Sequence, residues 1–259
     1  MRAGETFKLR VRRENPTAKS HRSYQEFNVP YEAGMTVLSA LLHAKEYFDH
    51  SIAIRYSCRM ASCGSCGMVI NGVPRLACYT QVSELPGSTI TIEPLEHYPL
   101  VRDLVTSFED FFDKHKAVSP FLLSKDLHEQ STSNSEFAQN PRELDDFLQF
   151  SYCIKCGLCN AACPTMANDH AFVGPQALGQ AYRYIADSRD EGAIERLKAV
   201  DDEHGIWRCH FAGSCSFVCP KGVDPALGIQ KLRRLSLTKS IPRKTGAKLM
   251  PTLVEKQVS

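Results

Sequence analysis

The chain has 259 residues, a length that suits about two domains. Hydrophobic residues are 43% and charged residues 23%, which excludes a disordered polymer, and a net charge of +2 excludes a strongly basic nucleic-acid binder. Eleven cysteines in a chain this long, odd in number and preceded by no apolar leader in residues 1–6, exclude a small secreted disulfide framework and point to a reducing compartment. No run of about 18 apolar residues occurs, so no membrane span is expected.

The first element is a half-buried strand, because Phe7-Lys8-Leu9-Arg10-Val11-Arg12 alternates apolar and polar residues. Residues 24–29 predict a second strand, ended by Pro30. Val37, Leu41, Ala44 and Phe48 then recur at helical spacing, with Leu38 and Leu42 beside them on the same face. After a cysteine loop, Gly67–Ile70 and Val73–Leu76 flank Asn71-Gly72, the signature of a hairpin closed by a type I′ turn. Residues 88–93 give a last strand, so the N-terminal part reads as a small sheet with one helix packed across it.

Residues 115–140 are rich in Ser, Asn and Gln around Pro120 and read as an extended linker. From Pro141 the pattern turns helical, with Leu178, Ala181, Tyr182 and Ile185 on one face. The expected organisation is therefore a domain over residues 1–114, a linker over 115–140, an α-helical domain over 141–230 and a tail over 231–259. That tail carries eight Lys/Arg against one Glu. It reads either as a solvated, partly disordered end or as a contact with a partner subunit or anionic lipid headgroups.

The chemistry lies in the cysteines. Cys58, Cys63 and Cys66 are spaced C-x4-C-x2-C, and Cys78 follows after eleven residues on the far arm of the Asn-Gly hairpin. That is the plant-type ferredoxin arrangement for a [2Fe–2S] cluster, which needs four thiolates. A short loop can surround a compact cluster only if its backbone bends tightly, and Gly64 and Gly67 are expected to supply that freedom. The competing reading is a zinc knuckle at Cys63 and Cys66, for which this domain holds no partner knuckle.

Cys153, Cys156, Cys159 and Cys163, followed by Pro164, spell the bacterial-type run C-x2-C-x2-C-x3-C-P, whose fourth cysteine serves the other cluster of a pair. Cys209, Cys215 and Cys219, followed by Pro220, repeat that frame with Ala212 at the missing cysteine's position. Cross-ligation then gives Cys153, Cys156, Cys159 and Cys219 to a [4Fe–4S] cluster and leaves three thiolates, Cys163, Cys209 and Cys215. Three suit a [3Fe–4S] cluster, the alternative being a fourth ligand from His210. Two matching frames are not packing, and three clusters of three types argue for electron transfer rather than a structural metal or a zinc scaffold.

These residues resemble a family. Arg55-Tyr56-Ser57-Cys58-Arg59-Met60-Ala61-Ser62-Cys63-Gly64-Ser65-Cys66-Gly67, Asn71-Gly72 and Arg75-Leu76-Ala77-Cys78 look like the first-cluster segments of the iron–sulfur subunit of succinate dehydrogenase and fumarate reductase, respiratory complex II. Cys153-Ile154-Lys155-Cys156-Gly157-Leu158-Cys159-Asn160-Ala161-Ala162-Cys163-Pro164 is similar to its second motif, with a fumarate reductase flavour. Tyr182-Arg183-Tyr184, Asp187-Ser188-Arg189-Asp190, Trp207-Arg208-Cys209 and Cys219-Pro220-Lys221-Gly222-Val223-Asp224-Pro225 extend the likeness over nearly the whole chain.

The resemblance implies an α+β protein: an N-terminal plant-type ferredoxin (β-grasp) domain, then an all-α bacterial-type two-cluster ferredoxin domain. It implies an electron-transfer subunit that passes single electrons between the FAD of a flavoprotein subunit and membrane quinone, beside a membrane anchor. The expected position is peripheral, on the cytoplasmic face of a prokaryotic membrane, with the dicarboxylate chemistry on the flavoprotein. By motif position, Pro164, His210 and Ala212 correspond to quinone-pocket residues. Residues 165–168 lack the Trp that succinate dehydrogenases often carry there, and the single Trp is Trp207. A related soluble oxidoreductase, such as a thiol-linked fumarate reductase or a heterodisulfide reductase, is the rival class. Such proteins often append a cysteine-rich domain, and no cysteine follows Cys219.

Overall fold

The computed structural model describes residues 4–18, 20–123, 135–136, 139–239 and 250–251. Their contacts group into two compact units that do not follow the chain in consecutive blocks.

The first unit is built on a five-stranded mixed sheet. Strand β1 (Thr6–Asn15) buries Phe7, Leu9 and Val11 on one face, as the alternation requires. It pairs antiparallel with β2 (Ser20–Pro30), Leu9 opposite Phe27. Strands β3 (Gly67–Ile70) and β4 (Val73–Leu76) form the hairpin, with Asn71 at φ 48° and Gly72 at φ 78°, the left-handed pair of a type I′ turn. Strand β5 (Thr89–Glu93) lies parallel to β1 and antiparallel to β3, giving the order β2-β1-β5-β3-β4. The Asn71 side-chain oxygen also accepts from the Thr91 N–H at 2.8 Å, which pins the turn to β5.

Helix α1 (Val37–Tyr47) starts at Thr36, whose Oγ1 accepts from the Ser39 N–H at 3.1 Å. It buries Val37, Leu38, Ala40, Leu41 and Ala44 against the sheet, while Phe48 at its C-terminus is exposed. Each fully buried Leu, Ile or Val contributes about 1.5–3 kcal/mol. Segments Cys153–His170 and Ala212–Gly222 belong to this same unit, and Leu158 and Ala161 join its apolar core. The run Cys153–Cys163, with Cys215 and Cys219, therefore packs with the sheet domain, whereas Cys209 belongs to the other unit.

The second unit comprises Asp113–Tyr152, Ala171–Phe211 and Val223–Ser259. Its centre is the helix Pro175–Ile185, which buries Leu178, Ala181, Tyr182 and Ile185 together with Gln176 and Gln180. The helix Pro225–Thr238 crosses it closely because small residues meet there: a Cβ on Gly228 would lie 2.9 Å from the Phe150 ring and 3.6 Å from the Gly179 Cα. Phe150 stands edge-on to Tyr182 at 4.9 Å.

Two expectations need correction here. The helix Glu109–Ala117 runs into the segment expected to be an extended linker from residue 115, and Val118 is buried. Residues up to 123 are held down, since the Leu123 N–H donates to Asp190 at 2.9 Å and the Glu191 N–H to the Leu123 carbonyl at 2.8 Å. The basic tail likewise begins inside the helix Pro225–Thr238, where its apolar face buries Leu232. Residues 124–134, 240–249 and 252–259, the rest of both expectations apart from a few positions, lie outside the described residues. Among the described residues, no helix is long and apolar enough to cross a membrane.

Candidate metal centres

The loop between α1 and β3 turns its N–H groups inward onto sulfur. Cys58 Sγ accepts from the N–H groups of Met60, Ser62 and Cys63 at 3.4, 3.3 and 3.2 Å. Cys63 Sγ accepts from Cys58 and Ser65 at 3.5 Å each. Cys78, arriving after β4, joins them: its Sγ accepts from Ala61 at 3.3 Å and its N–H donates to Cys66 Sγ at 3.4 Å. The segment bearing Cys78 is held by the start of α1, where Val37 and Leu38 donate to the Thr80 and Ala77 carbonyls at 2.9 and 3.0 Å.

This inward turn needs three left-handed residues: Arg59 at φ 59°, Ala61 at φ 55° and Gly64 at φ 75°. Glycine reaches that region freely, whereas Arg59 and Ala61 do so under strain of the kind that persists at functional sites. Gly67 has no positive φ and is needed instead for close approach, since a Cβ there would lie 3.2 Å from both the Cys156 carbonyl oxygen and Leu158. Sequence reasoning credited both glycines with flexibility and missed Arg59 and Ala61, which no spacing rule marks. The Ser65 side chain and then the Cys58 N–H bring the Cys63 thiol down to about 6, while burial pushes Cys66 up to about 12.

The second and third cysteine runs repeat one backbone turn. In the first, Lys155 has φ 56° and Gly157 φ 79°, followed by the short helix Leu158–Ala161. In the other, Phe211 has φ 57° and Gly213 φ 76°, followed by Ser214–Phe217. The left-handed residues stand two and four places after Cys153 and after Cys209, so the frame inferred from the cysteines extends to the backbone. Ala212 occupies in that frame the place of Cys156, with a methyl group where the other run has sulfur. The Phe211 N–H donates to Cys209 Sγ at 3.4 Å.

Within the first unit, Cys219 comes into electrostatic range of the opposite run. Burial pushes Cys156 up to about 12, opposed by the Leu158 N–H, with Cys153 and Cys219 adding to the effect. Burial also raises Cys159 well above the usual thiol range, with Cys156, Cys153, Cys215 and Cys219 all contributing. Crowded, half-buried thiols of this kind stay protonated unless a cationic centre takes them as thiolates. That donor set fits a cationic iron–sulfur core. Among the described residues, no three His, Cys, Asp or Glu side chains are spaced to hold one metal ion.

Tyr98 is a further feature that the sequence did not mark. Its hydroxyl donates to the Gly157 carbonyl at 2.9 Å, and its ring stacks on Phe108 at 4.7 Å. Burial, then the nearby Cys159 and Cys156, holds its phenol well above the usual value, so it remains a donor. Of the residues suggested for a quinone pocket, Pro164 opens the helix Pro164–Asn168, and Pro164, His210 and Ala212 are each exposed. No disulfide joins any of the cysteines.

Comparison with known proteins matches a 2Fe-2S iron-sulfur cluster binding domain to residues 8–113 and a 4Fe-4S dicluster domain to residues 149–223. The fumarate reductase iron-sulfur subunit of Mycobacterium tuberculosis is 40% identical over 235 residues, covering 91% of this chain and 94% of that protein. The Escherichia coli fumarate reductase iron-sulfur subunit is 39% identical over 227 residues, covering 88% and 91%. The succinate dehydrogenase iron-sulfur subunit of Coxiella burnetii is 37% identical over 226 residues, covering 86% and 94%. A chain of the Mycobacterium smegmatis Sdh1 complex in the apo form superposes with a TM-score of 0.82 at 25% identity, covering 93% of this chain and 99% of that one.

Proposed function

The chain belongs to the iron–sulfur subunits of fumarate reductase and succinate dehydrogenase, and we propose on that premise how its residues divide the work. It is the electron-transfer subunit of a complex II enzyme, with a 2Fe-2S domain followed by a 4Fe-4S dicluster domain. The family carries three clusters, and FAD resides on the partner subunit. Iron–sulfur clusters supply one-electron oxidation and reduction, which converts the two-electron chemistry of a flavin into single steps.

Cys58, Cys63, Cys66 and Cys78 hold the [2Fe–2S] cluster in a β-grasp domain over residues 1–114. Cys153, Cys156, Cys159 and Cys219 hold [4Fe–4S], and Cys163, Cys209 and Cys215 hold [3Fe–4S], in the bacterial-type domain over residues 141–230. The observation that carries this reading is the repeated left-handed turn at Lys155/Gly157 and Phe211/Gly213, with Ala212 in the frame position of Cys156. The chain's own contribution is to aim N–H groups at the sulfurs of the first loop and to shield Cys156 and Cys159 in part from solvent, two levers that set cluster potentials.

A flavoprotein carrying FAD and a membrane anchor complete the enzyme, and the subunit sits peripherally on the cytoplasmic face of a prokaryotic membrane. Pro164, His210 and Ala212 face the quinone. Fractionation of cells with activity assays tests this reading. The subunit should sediment with membranes and support electron transfer between succinate or fumarate and a quinone analogue. A fully cytosolic subunit that reduces fumarate from a soluble thiol without quinone would replace it with the soluble alternative.

A further inference from the structure

The Tyr98 hydroxyl reaches across 59 residues of sequence to donate to the Gly157 carbonyl at 2.9 Å. That carbonyl and the Leu158 N–H belong to one peptide unit directly after Cys156, and the Leu158 N–H is a backbone group that favours the Cys156 thiolate. A donor at the oxygen end of a peptide polarises the unit and makes its N–H a stronger positive end toward nearby sulfur. It also fixes the plane of that peptide, which matters here because Gly157, at φ 79°, has no side chain to restrain it. The aromatic pair closes over this point: a Cβ on Gly157 would meet the Tyr98 hydroxyl at 2.6 Å and the Phe108 ring at 2.8 Å. Packing needs only the two stacked rings, 4.7 Å apart, and a phenylalanine would supply it equally. The hydroxyl is the part that packing does not explain.

We propose that Tyr98 is a positioning residue that raises the reduction potential of the cluster bound through Cys156, by holding and polarising the Gly157–Leu158 peptide against the cysteine sulfur. Reduction adds one electron to the cluster, so the reduced form carries the greater negative charge on its sulfurs and gains more from each donor aimed at them. The inference rests on the assignment of Cys156 to the [4Fe–4S] cluster.

The test is a redox titration of the purified complex, followed by electron paramagnetic resonance, for wild type and Tyr98→Phe. The variant keeps the ring stack and loses the donor. The [4Fe–4S] reduction equilibrium should shift about threefold toward the oxidised form, a fall of about 28 mV at roughly 59 mV per tenfold for a one-electron couple. The [2Fe–2S] and [3Fe–4S] centres should keep their potentials. Replacing Tyr98 by 3-fluorotyrosine, a stronger donor of the same shape, should move the [4Fe–4S] potential the opposite way. An unshifted [4Fe–4S] potential in both variants, or an equal shift of all three centres, overturns the proposal while leaving the cluster assignment intact. A wild-type complex without a [4Fe–4S] signal overturns both.

Discussion

Gly64 and Cys156 pack backbone against backbone: a Cβ built on Gly64 would lie 2.8 Å from the Cys156 Cβ and 2.9 Å from its Cα. The loop proposed for the [2Fe–2S] cluster thus abuts the loop proposed for the [4Fe–4S] cluster through a residue with no side chain. Gly64→Ala meets both this clash and a left-handed φ of 75°, and should destabilise the protein by about 2–4 kcal/mol. Gly72→Ala is the control, with a φ of 78° and nothing within 4 Å of the added Cβ, so it should cost only about 1–2 kcal/mol of backbone strain. Denaturant midpoints of the two variants, measured side by side, isolate the contact; equal losses would show that Gly64 is kept for conformation alone.

Ala212→Cys restores sulfur to the frame position of Cys156, between Phe211 and Gly213 in the same left-handed turn. The variant should bind a fourth iron at the third centre and lose the paramagnetic signal that an oxidised three-iron cluster gives. Retention of that signal, with the wild-type iron content, would mean that Ala212 does not set the cluster type.

The second unit depends on a buried ion pair. Arg196 and Asp190 are 1% and 0% exposed at their side chains and pair directly. Arg196 also donates from Nε to the Ser119 carbonyl at 3.0 Å, and Asp190 accepts from the Leu123 and Gly192 N–H groups at 2.9 and 2.7 Å. Arg196→Leu leaves a buried carboxylate without its cation and should cost about 3–5 kcal/mol in chemical denaturation. A loss below ~1 kcal/mol would mean that water reaches Asp190 in the variant.

Asp187 gives stability a dependence on pH. Burial raises its pKa, but hydrogen bonds from the Arg189 side chain at 2.8 Å and from the Arg189 N–H at 3.1 Å outweigh it, so the folded value is lowered. A lowered folded pKa contributes stability above the unfolded value of about 3.9, lost as pH falls through the folded value. Wild type should therefore exceed Asp187→Asn in stability at neutral pH, and the gap should close in acid below about pH 4. Comparing the two proteins cancels any acid loss of clusters common to both. A gap that persists unchanged into acid would contradict this.

The cysteine frames, the Asn71-Gly72 hairpin and the alternation of β1 were legible because each follows a local rule of spacing or period. The helical face of Leu178, Ala181, Tyr182 and Ile185 was legible for the same reason. What escaped is long-range or backbone-borne. Tyr98 meets Gly157 only in the folded chain, and the strained φ values of Arg59 and Ala61 are imposed by sulfur contacts that no propensity scale registers. Residues 115–123 contain Pro120 and run into a stretch rich in Ser, Asn and Gln, so they read as a linker, yet the Ser119 and Phe121 carbonyls are held by Arg196, some 75 residues away.

In the proposed reading, the eleven cysteines divide four, four and three to hold three one-electron centres. Mössbauer and paramagnetic resonance spectra of the anaerobically purified complex, with iron and sulfide counted per chain of this subunit, test it most directly. One [2Fe–2S], one [4Fe–4S] and one [3Fe–4S] centre are expected, with about nine irons and about ten sulfides. Two [4Fe–4S] centres per chain, or zinc in place of iron at any of the three, would contradict it.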